Sequence, residues 1–147
     1  MTLFARLTRI SVVPCWLLLA GCQWFVSPQD AIRLQNFTSL KAMHMKLYDD
    51  WTKGSGREWS LSNVTSYCDS GDLRFHEAFE YARSSAKKDE TAPKAVKILW
   101  DQFSADCKKL IDKDKPFNAV FMKELRPMVE QNYDYAIAGE TARVADK

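Results

Sequence analysis

From Ser27 onward, apolar side chains return at intervals of three and four residues in four separate runs, and this spacing leaves few folds open. An α-helix turns once in about 3.6 residues, so each run lines up on one helix face. Phe37, Leu40, His44, Leu47 and Trp51 share the first face, and Leu61, Val64, Cys68, Gly71, Phe75, Ala78 and Ala82 the second. Val96, Trp100, Phe103, Cys107 and Leu110 form the third, and Phe117, Phe121, Leu125 and Met128 the fourth. No useful stretch alternates with the period of two that a half-buried strand requires. Four amphipathic helices can only bury their apolar faces against one another, so the expected fold is all-α: an up-and-down four-helix bundle.

The breaks between the runs carry their own signals. Ser27 is the expected N-cap of the first helix, with Pro28 at the first helical position and Asp30 three residues after the cap. "KGSG" at 53–56 ends that helix, because two close glycines favour a turn. "DSGD" at 69–72 could divide the second helix; one helix with a weak centre is expected, and Gly71 on the stripe also permits a close neighbour. Thr91 and Pro93 open the third helix. The fourth is expected from Pro116 to Ala138, bent near Lys123 by Pro127 and stopped by Gly139. The bundle domain then covers 28–139, and 140–147 is a polar tail.

Residues 1–21 are organised differently. Arg6 and Arg9 precede an apolar centre from Ile10 to Leu18, and small residues lead to a cysteine, the layout of a secretory signal. The clean apolar run is about half the ~20 residues a membrane span needs, and Pro14 interrupts it. Leu19-Ala20-Gly21-Cys22 resembles the lipobox of bacterial lipoproteins at all four positions. The resemblance implies a cleaved signal peptide, a diacylglyceryl group on the Cys22 thiol and acylation of the new amino terminus. Two or more acyl chains suffice for stable anchoring. Gln23 is similar to the outer-membrane-directed type of lipoprotein, in a cell envelope with two membranes. Residues 22–27 would be a lipidated tether, about 18 Å long when extended from Cys22 to Ser27.

With Cys15 in the leader and Cys22 lipidated, Cys68 and Cys107 remain as a pair in an oxidising compartment. Both lie on apolar stripes. Facing positions in an antiparallel helix pair have a constant sum, and these two are centred on 87.5, inside the connection between the second and third runs. An internal disulfide joining those helices is expected.

Charge excludes one class of partner. Of the 21 Lys and Arg, Arg6 and Arg9 fall in the leader, leaving 19 against 19 Asp and Glu. Nucleic-acid binding needs a clustered surplus of cations, and the densest clusters here are the pairs Lys87-Lys88 and Lys108-Lys109.

No catalytic, metal or cofactor site is expected. Only His44 and His76 are present, and zinc-protease, nucleophile-elbow, phosphate-loop, haem-attachment and di-iron patterns are missing. "MHM" at 43–45 suits copper(I) in ligand type, but consecutive helical residues point about 100° apart and cannot converge on one ion. His44 reads instead as a boundary or core histidine with a hydrogen-bond partner. His76 has Asp72 and Glu80 within a helical turn. Tyr133 and Tyr135 cannot both face inward, which makes them candidate contacts for a partner, while Trp24 and Phe25 beside the lipid are candidates for partner or membrane contact.

These expectations converge on a non-enzymatic lipoprotein of the cell envelope, anchored in the outer membrane and facing the periplasm. Its short tether keeps the bundle near the bilayer, as suits an accessory factor for another envelope protein. In form it is similar to secretion-system pilot lipoproteins, by analogy alone. A periplasmic immunity or inhibitor protein is the alternative, followed by a ligand- or metal-binding bundle.

Overall fold

The computed structural model describes residues 30–86 and 89–143. They form four helices, α1 (Ala31–Trp51), α2 (Leu61–Ser85), α3 (Thr91–Lys113) and α4 (Ala119–Ala142), arranged as a four-helix bundle. The largest interface is between α2 and α3, followed by that between α1 and α4.

Helix ends follow local hydrogen-bonding chemistry. The Asp30 carboxylate accepts from the amides of Ile32 and Arg33, so Asp30 caps α1 in place of Ser27, which lies outside the described residues. After Trp51 the chain turns extended, and Gly54 and Gly56 take left-handed φ values of 91° and 81° that disfavour any side chain. Ser60 caps α2. Thr91 is not the cap of α3, because Asp89 Oδ1 already accepts the Thr91 amide from one position further out. Helix α4 starts three residues later than Pro116, since Phe117 is drawn into an isolated bridge with Thr52. Lys53 N donates to Phe117 O and Phe117 N to Trp51 O, both at 2.9 Å, and Asn118 then caps α4.

The first three stripes enter the core nearly as spaced. Phe37, Leu40, His44, Leu47 and Trp51 are buried, as are Val64, Cys68, Phe75, Ala78 and Ala82, and Val96, Phe103, Cys107 and Leu110. Leu61, in the first turn of α2, is exposed instead, and Trp100 lies half-buried with its indole N–H donating to Asp72 at 2.7 Å. The Cys68–Cys107 disulfide joins α2 to α3, with the Cα atoms 5.9 Å apart.

Helix α2 runs unbroken through Gly71, and the reason lies across the interface. A Cβ at Gly71 would sit 2.3 Å from Phe103 Cζ. Phe103 is itself boxed in, with ring centroids at 5.1 Å from Phe75 and 5.2 Å from His44. Gly139, also helical, has nothing within 4 Å of its would-be Cβ. The same substitution should therefore act in opposite directions at the two sites. Gly71→Ala is expected to cost about 1–3 kcal/mol through overpacking, less the helix-propensity gain. Gly139→Ala is expected to gain about 0.5–1 kcal/mol. Urea unfolding of the two variants checks the signs.

Helix α4 departs from its expected face. Met122, Val129, Tyr133 and Glu140 are buried, whereas Phe121 and Met128 point outward. Gly139 does not stop the helix, and residues 140–142 are its last turn rather than part of a polar tail.

Candidate interaction surface

Cys22, Trp24 and Phe25 lie outside the described residues. Of the two tyrosines, Tyr133 is fully buried and so is no partner contact, whereas Tyr135 is 66% exposed. Among the described residues no helix is long and apolar enough to cross a membrane, and no group of three His, Cys, Asp or Glu side chains could hold a metal ion.

Two buried polar networks organise the interior. In the first, His44 from α1 has its Nδ1 2.9 Å from the Tyr133 hydroxyl of α4 and its Nε2 3.4 Å from Asp106 Oδ2 of α3. Tyr48 donates its hydroxyl to the same Asp106 oxygen, and Lys109 Nζ reaches Oδ1 at 2.8 Å. Burial pushes the Asp106 carboxyl up, but the contacts from His44, Lys109 and Tyr48 outweigh it and hold the group below its usual range. Burial holds the His44 imidazole below its ordinary 6.5 against the opposing pull of Asp106. A neutral imidazole then accepts from Tyr133 at Nδ1, while its Nε2 lies 3.4 Å from the carboxylate without a hydrogen bond. Histidine, tyrosine and aspartate are also parts of acid–base chemistry. Here His44 and Asp106 are 0% and 2% exposed, so the cluster is shut off from solvent. Its effect is to fix the register of α1, α3 and α4. His76 lies elsewhere, edge-on to the Trp100 ring at 5.7 Å.

These shifts set an acid dependence. A base whose proton affinity is lowered by folding loses stability as pH falls below its unfolded value, because the unfolded chain takes up the proton first. For His44 that loss starts near pH 6.5. Lowered carboxylates lose theirs as pH falls from their ordinary value toward the folded one. Burial raises the Asp89 carboxyl, but hydrogen bonds from Thr91 and Arg143 bring it down to about 2. Urea unfolding followed from neutral pH downward should therefore show stability declining in two stages, from about pH 6.5 and again below about pH 4. A rise in stability over the first stage would contradict a buried neutral His44.

The second network closes the end of the bundle where α1 begins. Arg33 Nε and Nη2 donate to Glu140 Oε1 at 3.1 and 3.0 Å, and the Asp30 amide donates to the same oxygen at 3.0 Å. Tyr81 of α2 donates to Asp30 Oδ2, and Arg143 pairs with Asp89 and approaches Glu140. The point where the N-terminal segment enters the bundle is thus fixed to the last turn of α4.

On the outer side of α4, Val120, Phe121, Met128 and Tyr135 are 71%, 49%, 63% and 66% exposed. Phe121, Met128 and Tyr135 are seven residues apart, so they fall within about 40° of one another around the helix. Gln131 Nε2 donates to the Tyr135 hydroxyl at 2.9 Å. Ala138, Gly139 and Ala142 continue the face with small side chains. The other exposed large apolar residues among those described occur one or two to a helix, Ile32 on α1, Leu61 and Leu73 on α2 and Ile98 on α3. Sequence spacing places Phe121 and Met128 in the core, whereas the structure turns both to solvent. No known protein family, curated protein or solved structure matches the chain.

Proposed function

We propose that this chain is a lipid-anchored, non-enzymatic protein of the bacterial cell envelope that binds another envelope protein through the outer face of α4. The observation that carries this reading is the line Phe121, Met128 and Tyr135, three large apolar side chains aligned in solvent on one helix. Aligned exposed apolar residues mark interaction sites where scattered ones do not. The lipobox resemblance at Leu19-Ala20-Gly21-Cys22 supports acylation of Cys22, and Gln23 supports the outer membrane facing the periplasm. With Asp30 as the cap, eight steps separate it from Cys22, at most about 28 Å. The bundle therefore works close to the bilayer.

The test combines two variants of the full chain. Cys22→Ala should leave the membrane fraction, and a triple change of Phe121, Met128 and Tyr135 to Ser should stay there but lose its crosslinked envelope partner. The triple variant should keep its stability within about 0.5 kcal/mol, because surface positions tolerate substitution. Membrane retention without Cys22, or partner recovery undiminished by the triple change, would overturn the reading.

A further inference from the structure

We infer that the occupant of the α4 face is an amphipathic helix of a different protein, with apolar residues at three- and four-residue spacing and a Lys or Arg facing Glu124. This inference rests on the proposed function and specifies the partner's chemistry. Phe121, Met128 and Tyr135 alternate with Glu124, Gln131 and Ala138, so the two sets recur at intervals of three and four along one seam. Such a seam receives a second helix, each side chain fitting between those of its neighbour. At the far end Ala138, Gly139 and Ala142 let that helix approach closely, and a Cβ at Gly139 would meet nothing.

Charge decides between occupants. Glu124 is exposed between Phe121 and Met128, and among the described residues no ion pair engages it. Covering that face takes the carboxylate out of water, which is costly without a cation. A second copy paired through this same seam supplies none in either of its symmetric registers. A parallel self-pair sets Glu124 against its own copy, and an antiparallel pair centred on Met128 sets it against Asn132, whose amide already donates to Gln102. The nearest cations on α4 are turned the other way: Arg126 pairs with Asp49 of α1, and Lys123 lies on that same side. An anionic lipid surface would repel Glu124. A helix carrying its own cation satisfies both the apolar line and the carboxylate.

The experiment places a photocrosslinking amino acid at Tyr135 in the full-length chain in its native host, with Leu73 and Ile98 as comparison positions. Crosslinked products are digested and sequenced. The expected product from position 135 joins a segment of a different protein with the stated spacing and a Lys or Arg. Glu124→Lys should reduce its yield by about tenfold or more, and a Lys or Arg to Glu change in the partner should restore it. Crosslinks from position 135 to a second copy or to lipid, or a yield indifferent to Glu124→Lys, would overturn the inference. Protein crosslinks only from Leu73 or Ile98 would remove the inference and leave a partner-binding role standing; no protein crosslink from any position would remove both.

Discussion

Glu140→Ala is expected to lower the unfolding free energy by about 3–5 kcal/mol, a large share of what a domain of this size possesses. Arg33 and Glu140 are each 2% exposed, and a single carboxylate oxygen accepts from Arg33 Nε, Arg33 Nη2 and the Asp30 amide. Truncation takes from the buried guanidinium the carboxylate oxygen to which both Nε and Nη2 donate, so the loss reflects the desolvation of that charge more than a missing attraction. Glu140→Gln retains an acceptor but no charge and should cost about 1.5–3 kcal/mol. Replacing both partners, Arg33→Met with Glu140→Leu, should recover most of the loss, because the desolvation cost of the pair disappears with it. A chain cut after Gly139 should lose more than Glu140→Ala, because it also takes Arg143 away from Asp89. Urea unfolding followed by circular dichroism measures all four, and a Glu140→Ala variant within about 0.5 kcal/mol of the parent would show that the network contributes little.

That sensitivity sits in a stretch that the sequence presents as a polar tail, and the reason is physical. Glu140 and Arg33 are 107 residues apart, and neither belongs to an apolar repeat, so nothing local marks them as buried. The faces of α1, α2 and α3 were legible because each carries one apolar side. Helix α4 carries apolar residues on two sides, Phe121, Met128 and Tyr135 on one and Met122, Val129 and Ile137 on the other. Hydrophobicity alone cannot choose between them. The choice falls to polar groups that need interior partners: Tyr133 meets His44, and Glu140 meets Arg33, both on the Met122 and Val129 side. His44 occupies a stripe position, so the sequence places it at the boundary or in the core. Its neighbour Asp106 was not legible, because an aspartate beside Cys107 reads as solvent-facing until three helices converge on it. The candidate surface was therefore illegible for the same reason as the tail, both depending on a helix rotation that distant polar partners determine.

Reducing the Cys68–Cys107 bond is expected to cost about 4 kcal/mol, the chain-entropy value for residues separated by 39 positions. The bond closes the α2–α3 hairpin on the side remote from its connection, where the two thiols are already brought together by packing: the cysteines are 6% and 5% exposed. Native packing should therefore survive reduction, and the loss should arise chiefly in the unfolded chain, which gains the freedom of an open loop. Two measurements separate this from damage to the core. The urea midpoint should fall by on the order of 2 M, and the slope of unfolding free energy against urea should steepen as the reduced unfolded chain exposes more surface. Near-ultraviolet circular dichroism of the folded state should be nearly unchanged apart from the disulfide's own signal. A Cys68→Ala, Cys107→Ala chain loses the sulfur packing as well and should be less stable than the reduced parent by a further ~1–2 kcal/mol. If reduction moved neither midpoint nor slope, the covalent link would be redundant with the helix packing that positions it, and the stability of the α2–α3 pair would have to come from core contacts such as those of Phe75, Val96 and Phe103.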